Sequence, residues 1–220
     1  MQKADKSPFI QWGFTRFNRW LIHRNFENIR LLPPNSNPVP EKTLYIINHS
    51  TWWDPLMIFY LNDTYIQSDG YGMMHEDGVN RYPFFKKIGA YSINTDHRKH
   101  LMESLHYSIT LLKENKSVWV FPQGKETPLE KRPLQFFSGV SYIIQNCPDT
   151  KVVPISLYYS FEHTKKPNVY MQVGDPLKKD EYIDKNRKEM TRYIEEKATL
   201  QLDRLKELII QENHAHFKDI

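Results

Sequence analysis

The sequence predicts an α/β fold: a single domain with a mixed, mostly parallel sheet flanked by helices. Short apolar, strand-like segments alternate with helical patterns from about residue 43 onward. This alternation is typical of strands joined by helical crossovers. The length of 220 residues is sufficient for one domain with its own hydrophobic core.

The predicted elements follow in a regular order. Short apolar runs predict strands at 43–47, 71–74, 90–94, 117–121, 151–159 and 168–174. Helices are predicted at 55–62, 97–115 and 138–146, and a long charged helix from Asp180 onward. The apolar ridge of this last helix runs through Met190, Tyr193, Ile194, Ala198, Leu202, Leu205 and Ile209. Pro154 interrupts a strong strand pattern, which predicts an edge position or a bulge.

Residues 1–35 are interpreted as an amphipathic helical segment ahead of a main domain over 36–220. Aromatic and aliphatic side chains crowd residues 8–32, arginines are interleaved with them, and Pro8 suits the first helical turn. This composition favours a helix lying in a membrane interface. The alternative is an amphipathic helix packed on its own domain. Residues 33–42, rich in proline, predict a stiff linker.

Charge and cysteine content narrow the class of protein. The formal net charge of +4 is mild, and Lys and Arg are scattered, which gives nucleic-acid binding little support. Attraction to anionic lipid or to an acidic carrier is compatible with it. Cys147 is the lone cysteine, so an internal disulfide is impossible and a reducing compartment fits. Its polar turn, "QNCPDT", argues against a catalytic thiol.

No stretch approaches the roughly 20 consecutive apolar residues that a membrane-spanning helix needs. The first twenty residues also lack an unbroken signal-peptide core, because Arg16 and Arg19 interrupt it. We therefore expect the chain on the cytoplasmic face of a membrane, held peripherally.

The stretch "NHSTWWDP" (48–55) is the first candidate for chemistry. Asp54 followed by Pro55 suits a helix N-cap with proline in the first turn. The same carboxylate can accept the Nδ1–H of His49 and leave Nε2 free to take a proton. The two interpretations are compatible, and loops at the carboxyl ends of strands are where α/β sheets bind ligands.

A second candidate is "VFPQGKETP" (120–128), in which a strand ends at Pro122 and Gly124. A tight strand exit containing glycine lets a backbone N–H face a ligand. An ordinary β-turn is the alternative.

These stretches, in this order, resemble the glycerolipid/lysophospholipid acyltransferase superfamily over about residues 43–160. The first motif of that family is Asn-His, four residues and Asp, and it is matched by Asn48, His49 and Asp54. The third, Phe-Pro-Glu-Gly-Thr-Arg-Ser, and the fourth, Val-Pro-Ile/Val, are matched by Phe121, Pro122, Gly124, Val153, Pro154 and Ile155. The second motif is echoed faintly by "GAYSINTDHR" (89–98).

The resemblance implies lipid metabolism, typically phospholipid biosynthesis, by acyl transfer from a thioester to a hydroxyl. His49 would take the proton of the attacking hydroxyl, and Asp54 would hold the tautomer of the ring. Backbone amides around Gly124 are candidates for the oxyanion, and the side-chain amide of Gln123 is another donor. No metal or cofactor is expected, since His75, His97, His100 and His106 show no convincing ligand spacing.

The departures from the family pattern concern the acceptor. Gln123, Lys125 and Glu126 stand where the family has Glu, Thr and Arg, and Thr95 stands at the arginine that holds the acceptor phosphate. This position follows from aligning the strand without gaps; Arg98, three residues further on, could substitute only if the loop differs. Loss of a guanidinium removes bidentate phosphate recognition, and Glu126 would repel a phosphate. This favours a neutral hydroxyl acceptor: a glycolipid, a glycosylated terpenoid or carotenoid, or a neutral lyso-lipid.

The expected partners are therefore an acyl thioester donor, a lipid-like acceptor and a membrane surface. The donor is an acyl-coenzyme A or an acyl carrier protein, whose phosphates or acidic surface Lys125, Lys131 and Arg132 could face. The residues assigned to substrate binding are Asn48, Trp52, Trp53, Arg98, Phe121, Pro122, Gln123, Gly124, Lys125, Glu126 and Pro154. The alternatives are a non-catalytic lipid-binding module, and a thioesterase or lipid hydrolase that uses the same His/Asp pair.

Overall fold

The computed structural model describes residues 1–36 and 41–220. Its strands are β1 (Ile29–Leu32), β2 (Thr43–Ile47), β3 (Gly70–His75), β4 (Ala90–Ile93), β5 (Ser117–Val120), β6 (Lys151–Ser160), β7 (Asn168–Val173) and β8 (Lys218–Asp219). Its helices are α1 (Pro8–Asn25), α2 (Asp54–Leu61), α3 (Glu76–Arg81), α4 (Arg98–Lys113), α5 (Gly139–Asn146) and α6 (Arg187–Ile210). A π-helical turn (Asn62–Ile66) and 3₁₀ turns (Pro83–Ile88, Lys179–Glu181, His214–His216) complete the described elements.

The strands form one mixed sheet in the order β4-β3-β5-β2-β6-β7-β1-β8. The first five strands in this order are mutually parallel, β7 is antiparallel to β6, and β1 is parallel to β7. The predicted mixed, mostly parallel sheet is therefore confirmed. Because parallel strands end at one edge of the sheet, the loops after β2 and β5 meet there.

Helices cover both faces of the sheet. Tyr45 and Ile47 point toward α1 and α2, and Leu44 and Ile46 point toward α4, α5 and the start of α6. This alternation follows from the two-residue period of a strand, and it makes β2 apolar on both sides. The predicted strands and helices after residue 43 are all present. The last helix starts at Arg187, later than Asp180, where Asn186 caps it by accepting from Glu189 N at 3.0 Å.

The N-terminal segment is helical over a shorter range than expected. The helix α1 begins at Pro8 as predicted but ends at Asn25, and Phe26 is already extended. Residues 29–32 form β1 inside the sheet, so the interpretation of residues 1–35 as one helical segment is wrong beyond Asn25. Pairing with β7 buries Ile29 and Leu31, and this long-range burial outweighs the local helical pattern.

The predicted linker follows this segment, and its residues 37–40 lie outside the residues that the structure describes. None of the described helices combines the length and the hydropathy needed to cross a membrane.

The prediction of an edge or a bulge at Pro154 is wrong. β6 lies inside the sheet, and Pro154 pairs in unbroken register with Ile46 of β2. The pairing with β7 starts one residue later, at Ile155, and the Pro154 carbonyl accepts from Gly174 N at 2.9 Å. The missing proline N–H therefore falls where the ladder with β7 ends, and a central strand tolerates it.

Candidate active site

His49 and Asp54 form a direct pair at the carboxyl end of β2. The Nδ1 of His49 lies 2.8 Å from Asp54 Oδ2, with Asp54 completely buried and the His49 side chain 16% exposed. A carboxylate only accepts hydrogen bonds, so Nδ1 carries the proton and Nε2 is the free ring nitrogen. The ring of Phe121 lies beside the imidazole, with centroids 4.5 Å apart.

The Asp54 carboxylate is held by donors on both oxygens. Oδ2 also accepts from the backbone amides of Ser50 at 2.6 Å and Thr51 at 3.0 Å. Oδ1 accepts from the Tyr159 hydroxyl at 2.7 Å. The carboxylate thus binds the loop before it and makes no side-chain cap on α2, so the N-cap prediction is wrong while the proline in the first turn is confirmed.

Tyr159 was not predicted from the sequence. Burial, followed by the charge of Asp54 and the hydrogen bond to it, raises the pKa of the Tyr159 hydroxyl well above its usual value. The hydroxyl is therefore a neutral donor at physiological pH. It lies at the end of β6, beyond the paired end of β2, where a side chain can reach beneath the catalytic loop.

Gln123 holds the backbone of the loop instead of facing a substrate. Its Oε1 accepts from His49 N at 2.7 Å, and its Nε2 donates to the Thr127 hydroxyl. Thr127 N in turn donates to the His49 carbonyl at 3.0 Å. The expectation of Gln123 as an oxyanion donor is therefore wrong, because its amide donates to Thr127 and its buried side chain is not part of the cavity wall.

Asn48 also serves the fold. Its Nδ2 donates to the Leu157 carbonyl at 3.0 Å, and its Oδ1 accepts from Leu157 N at 2.8 Å. These bonds continue the pairing of β2 with β6 past Ile47. Asn48 is buried and lies outside the cavity wall, which contradicts its assignment to substrate binding.

The turn after β5 supplies fewer free amides than expected. Gly124 has φ +70° and its N–H donates to the Phe121 carbonyl at 3.0 Å, so this amide is not free for an oxyanion. In the described part of the chain, the amides of Lys125 and Glu126 donate to no acceptor. Phe137 packs over Gly124, where an added Cβ would lie 2.7 Å from its ring.

The two neighbouring tryptophans have different surroundings. Trp52 is 49% exposed and lines the cavity beside His49. Trp53 packs edge-on against Phe26 at 4.9 Å and belongs to the core, outside the cavity wall. Trp52 is therefore placed where a substrate could contact it, whereas Trp53 is not.

His49 opens onto a cavity of about 730 Å³. Its lining is mostly apolar and comes from both faces of the sheet. On the α2 face these residues are Pro55, Leu56, Ile58, Phe59, Phe85, Ile88 and Trp119; on the α4/α5 face they are Leu101, Met102, Leu105, Val140 and Ile143. Gly70 and Gly72 also line it, and a Cβ added at Gly72 would meet nothing within 4 Å. The glycine leaves space that a side chain would fill.

The cavity wall carries equal numbers of cationic and anionic side chains. Arg81 and Arg187 contribute cationic side chains, and Asp77 and Glu126 contribute anionic ones. Thr95, at the position of the family arginine, lines the cavity, whereas Arg98 is exposed and outside it. The geometry thus gives Arg98 no place in the cavity wall, contrary to its assignment to substrate binding.

Some of the other predicted substrate contacts line the cavity and some do not. Phe121, Pro122, Gly124 and Glu126 line the cavity, and Lys125 and Pro154 do not. Arg132 is engaged elsewhere, because it forms an ion pair with Asp203 at 2.6 Å. Cys147 is buried in the core on the α4/α5 face, away from the cavity wall.

Comparison with known proteins identifies a family and a similar fold. A model of the acyltransferase family matches residues 23–158. The crystal structure of the 1-acyl-sn-glycerophosphate (LPA) acyltransferase PlsC from Thermotoga maritima is similar, with 17% sequence identity and a TM-score of 0.58. The match covers 89% of this chain and 79% of that one, and at this identity it shows a shared fold. No curated protein matches significantly. Because the family model spans more than half of the sequence, the chain belongs to the acyltransferase family.

Proposed function

We propose that this acyltransferase moves a fatty acyl group from a thioester to the hydroxyl of a lipid-like acceptor, with His49 as general base. The observation that carries the proposal is the His49–Asp54 pair at the wall of the apolar cavity. An alcohol is a weak nucleophile at neutral pH and needs a base within hydrogen-bond reach. Nε2 of His49 is that base.

The reaction balances with the two substrates alone. The acceptor hydroxyl attacks the thioester carbonyl while Nε2 of His49 takes its proton. The tetrahedral oxyanion forms near the turn after β5, where the amides of Lys125 and Glu126 are the candidate donors. When the intermediate collapses, the C–S bond breaks and the His49 imidazolium returns the proton to the leaving thiolate. Buried Asp54 stabilises the imidazolium between the two steps.

The cavity suits long acyl chains and a neutral headgroup. Its apolar walls provide the burial that a hydrocarbon chain requires. Its lining has as many anionic as cationic side chains, and Thr95 stands where the resemblance implies an arginine, so the cavity lacks the excess positive charge that a phosphate would favour. We therefore favour a neutral acceptor such as a glycolipid, a glycosylated terpenoid or carotenoid, or a neutral lyso-lipid. The donor is an acyl-coenzyme A or an acyl carrier protein, with Lys125 and Lys131 as exposed cations near the turn.

Peripheral membrane docking through α1 supports this function. One face of α1 packs inward through Phe14, Asn18 and Ile22. The opposite face exposes Phe9 (80%), Trp12 (57%), Phe17 (52%) and Trp20 (55%). Arg16 and Arg24 stack on Trp12 and Trp20 at 4.2 and 5.4 Å. Aromatic rings with arginines beside them fit an anionic bilayer surface.

The docking face is close to the cavity. Phe84, 41% exposed, lies 5.6 Å from Phe14 of α1, and its neighbour Phe85 lines the cavity wall. Substitution of Trp12 and Trp20 by Ser should lower the fraction of protein that sediments with phosphatidylglycerol vesicles. Leu200→Ser, at an exposed apolar position on α6, is the matched control. Equal sedimentation of all three proteins would contradict docking through α1.

The catalytic proposal is tested with purified protein, palmitoyl-coenzyme A and a panel of hydroxyl lipids. Thiol release and acylated products, the latter by mass spectrometry, are compared between wild type and His49→Ala. We expect an acylated lipid with wild type and none with His49→Ala, while His163→Ala, an exposed histidine on the β6–β7 connection, retains turnover. Turnover by His49→Ala would overturn the proposal. Thiol release without an acylated lipid would favour hydrolysis.

A further inference from the structure

We infer that Tyr159 is a positioning residue for the acyl-transfer step, acting through Asp54 on His49. The inference rests on the proposed function of His49 as general base. No motif in the sequence points to this tyrosine. The observation that points to it is the hydrogen bond of 2.7 Å from its hydroxyl to Asp54 Oδ1.

The two oxygens of Asp54 are not equivalent. Oδ2 accepts from three donors, namely the His49 ring and the amides of Ser50 and Thr51. Among the described residues, Oδ1 accepts from Tyr159 alone. The side chain of Asp54 has no exposed surface, so water cannot replace the tyrosine as it would at the surface. Without the hydroxyl, one oxygen of a buried carboxylate would lose its donor, which is costly.

The position of Tyr159 in the sheet explains how it reaches the pair. β6 runs parallel to β2 and continues past Ile155, the partner of the last residue of β2. Tyr159 therefore lies under the loop that carries His49, on the same face as Leu157 and the start of α2. Its ring packs 6.0 Å from Phe26, and its backbone pairs with Val169 of β7. The tyrosine is thus held by the packing of its ring on Phe26 and by the pairing of its backbone with β7.

This anchoring determines the orientation of the carboxylate. With both oxygens held, the Asp54 carboxylate cannot rotate about its Cβ–Cγ bond, and Oδ2 stays aligned with Nδ1 of His49. Without the Tyr159 hydroxyl, the Asp54 carboxylate can rotate, and the angle of its hydrogen bond with Nδ1 of His49 varies. Misplacement of a catalytic group lowers the rate without weakening the binding of substrates. Tyr159 does not line the cavity, so direct contact with substrate is not part of its role.

The test is Tyr159→Phe, which removes the hydroxyl and keeps the ring. We expect kcat to fall about tenfold with the KM for donor and acceptor unchanged. The downfield proton resonance of His49 Nδ1–H should broaden and move from its wild-type position. Tyr91→Phe is the matched control, since it removes a buried hydroxyl bonded to Ser108 Oγ at 2.7 Å on the opposite face of the sheet. That control should change neither kcat nor the resonance.

The outcomes separate this inference from the proposed function. An inactive His49→Ala together with wild-type kcat in a folded Tyr159→Phe would overturn the role of Tyr159 alone. A loss of kcat with an unchanged His49 resonance would also overturn it. Turnover by His49→Ala would overturn both proposals. If Tyr159→Phe does not fold, hydrogen exchange of the Tyr159 hydroxyl proton is measured in the wild type instead. Exchange as fast as that of an exposed tyrosine would contradict the buried hydrogen bond.

Discussion

The catalytic loop and the cavity in front of it are built in opposite ways. In the loop, Asn48 and the His49 backbone are held by hydrogen bonds to neighbouring elements, and Asp54 is held by a loop amide and by Tyr159 of β6. In the cavity wall, glycines and flexible methionines are prominent: Gly70, Gly72, Gly78, Met73, Met74 and Met102. Methionine adapts to irregular shapes, and at Gly72 an added Cβ would meet nothing within 4 Å. In the proposed reaction, hydrogen bonding would fix the catalytic pair, whereas the choice of acyl chain would depend on the unfilled volume at Gly72.

Substitutions in the hydrogen-bonded catalytic loop should reduce turnover most. Asp54→Asn should lower kcat by on the order of 10³-fold or more, because the amide can stabilise the wrong tautomer of His49 and not the imidazolium. Steady-state kinetics with palmitoyl-coenzyme A measures it. Asp203→Asn, which removes a surface ion pair with Arg132, should retain wild-type activity. An Asp54→Asn enzyme within a few-fold of wild type would contradict the role given to the carboxylate.

A smaller loss of activity is expected when the free space beside Gly72 in the cavity wall is filled. Gly72→Leu places a side chain where an added Cβ now meets nothing. The activity with long acyl donors should fall by roughly 10- to 100-fold, while short donors are retained, since a few buried methylenes contribute about 0.8 kcal/mol each. Gly72→Ala should give an intermediate profile. A series of acyl-coenzyme A donors of increasing length measures it, and identical profiles in all three proteins would place the acyl chain elsewhere.

Addition of a positive charge to the cavity wall should have a smaller effect, on the choice of acceptor. Thr95→Arg should increase the use of lysophosphatidic acid relative to a neutral hydroxyl lipid by about tenfold, because a guanidinium can bind a phosphate with two hydrogen bonds. Competition between the two acceptors, read by mass spectrometry, measures the ratio. Arg98→Ala should leave the ratio unchanged, since Arg98 lies outside the cavity. A lower ratio in Thr95→Arg would contradict a neutral acceptor site.

The sequence predicted the elements that depend on local patterns. Apolar runs and helical periodicity indicated the strands and helices after residue 43, and the spacing of His49 and Asp54 indicated the pair. β1 was missed because its burial depends on β7, whose partner residue Val169 is 140 positions from Ile29. The helical pattern of residues 8–32 carries no sign of that pairing.

Roles that depend on distant partners were assigned wrongly or missed. The motif predicts a substrate contact for Asn48, but its hydrogen-bond partner Leu157 is 109 positions away. The sequence predicts an oxyanion donor at Gln123, but this side chain binds the His49 backbone 74 positions away. Tyr159 lies 105 positions from Asp54 and belongs to no motif. A polar residue in a motif can position another residue as readily as it contacts substrate, and only the three-dimensional partner distinguishes the two.

In the proposed reaction the acceptor hydroxyl attacks the thioester itself, with His49 as base, and the enzyme is never acylated. This is decided by initial rates measured while both the donor and the acceptor concentration are varied. We expect intersecting double-reciprocal lines, and an intact protein mass that does not change when palmitoyl-coenzyme A is added alone. Parallel lines together with a protein heavier by one palmitoyl group would show a covalent intermediate and contradict direct attack.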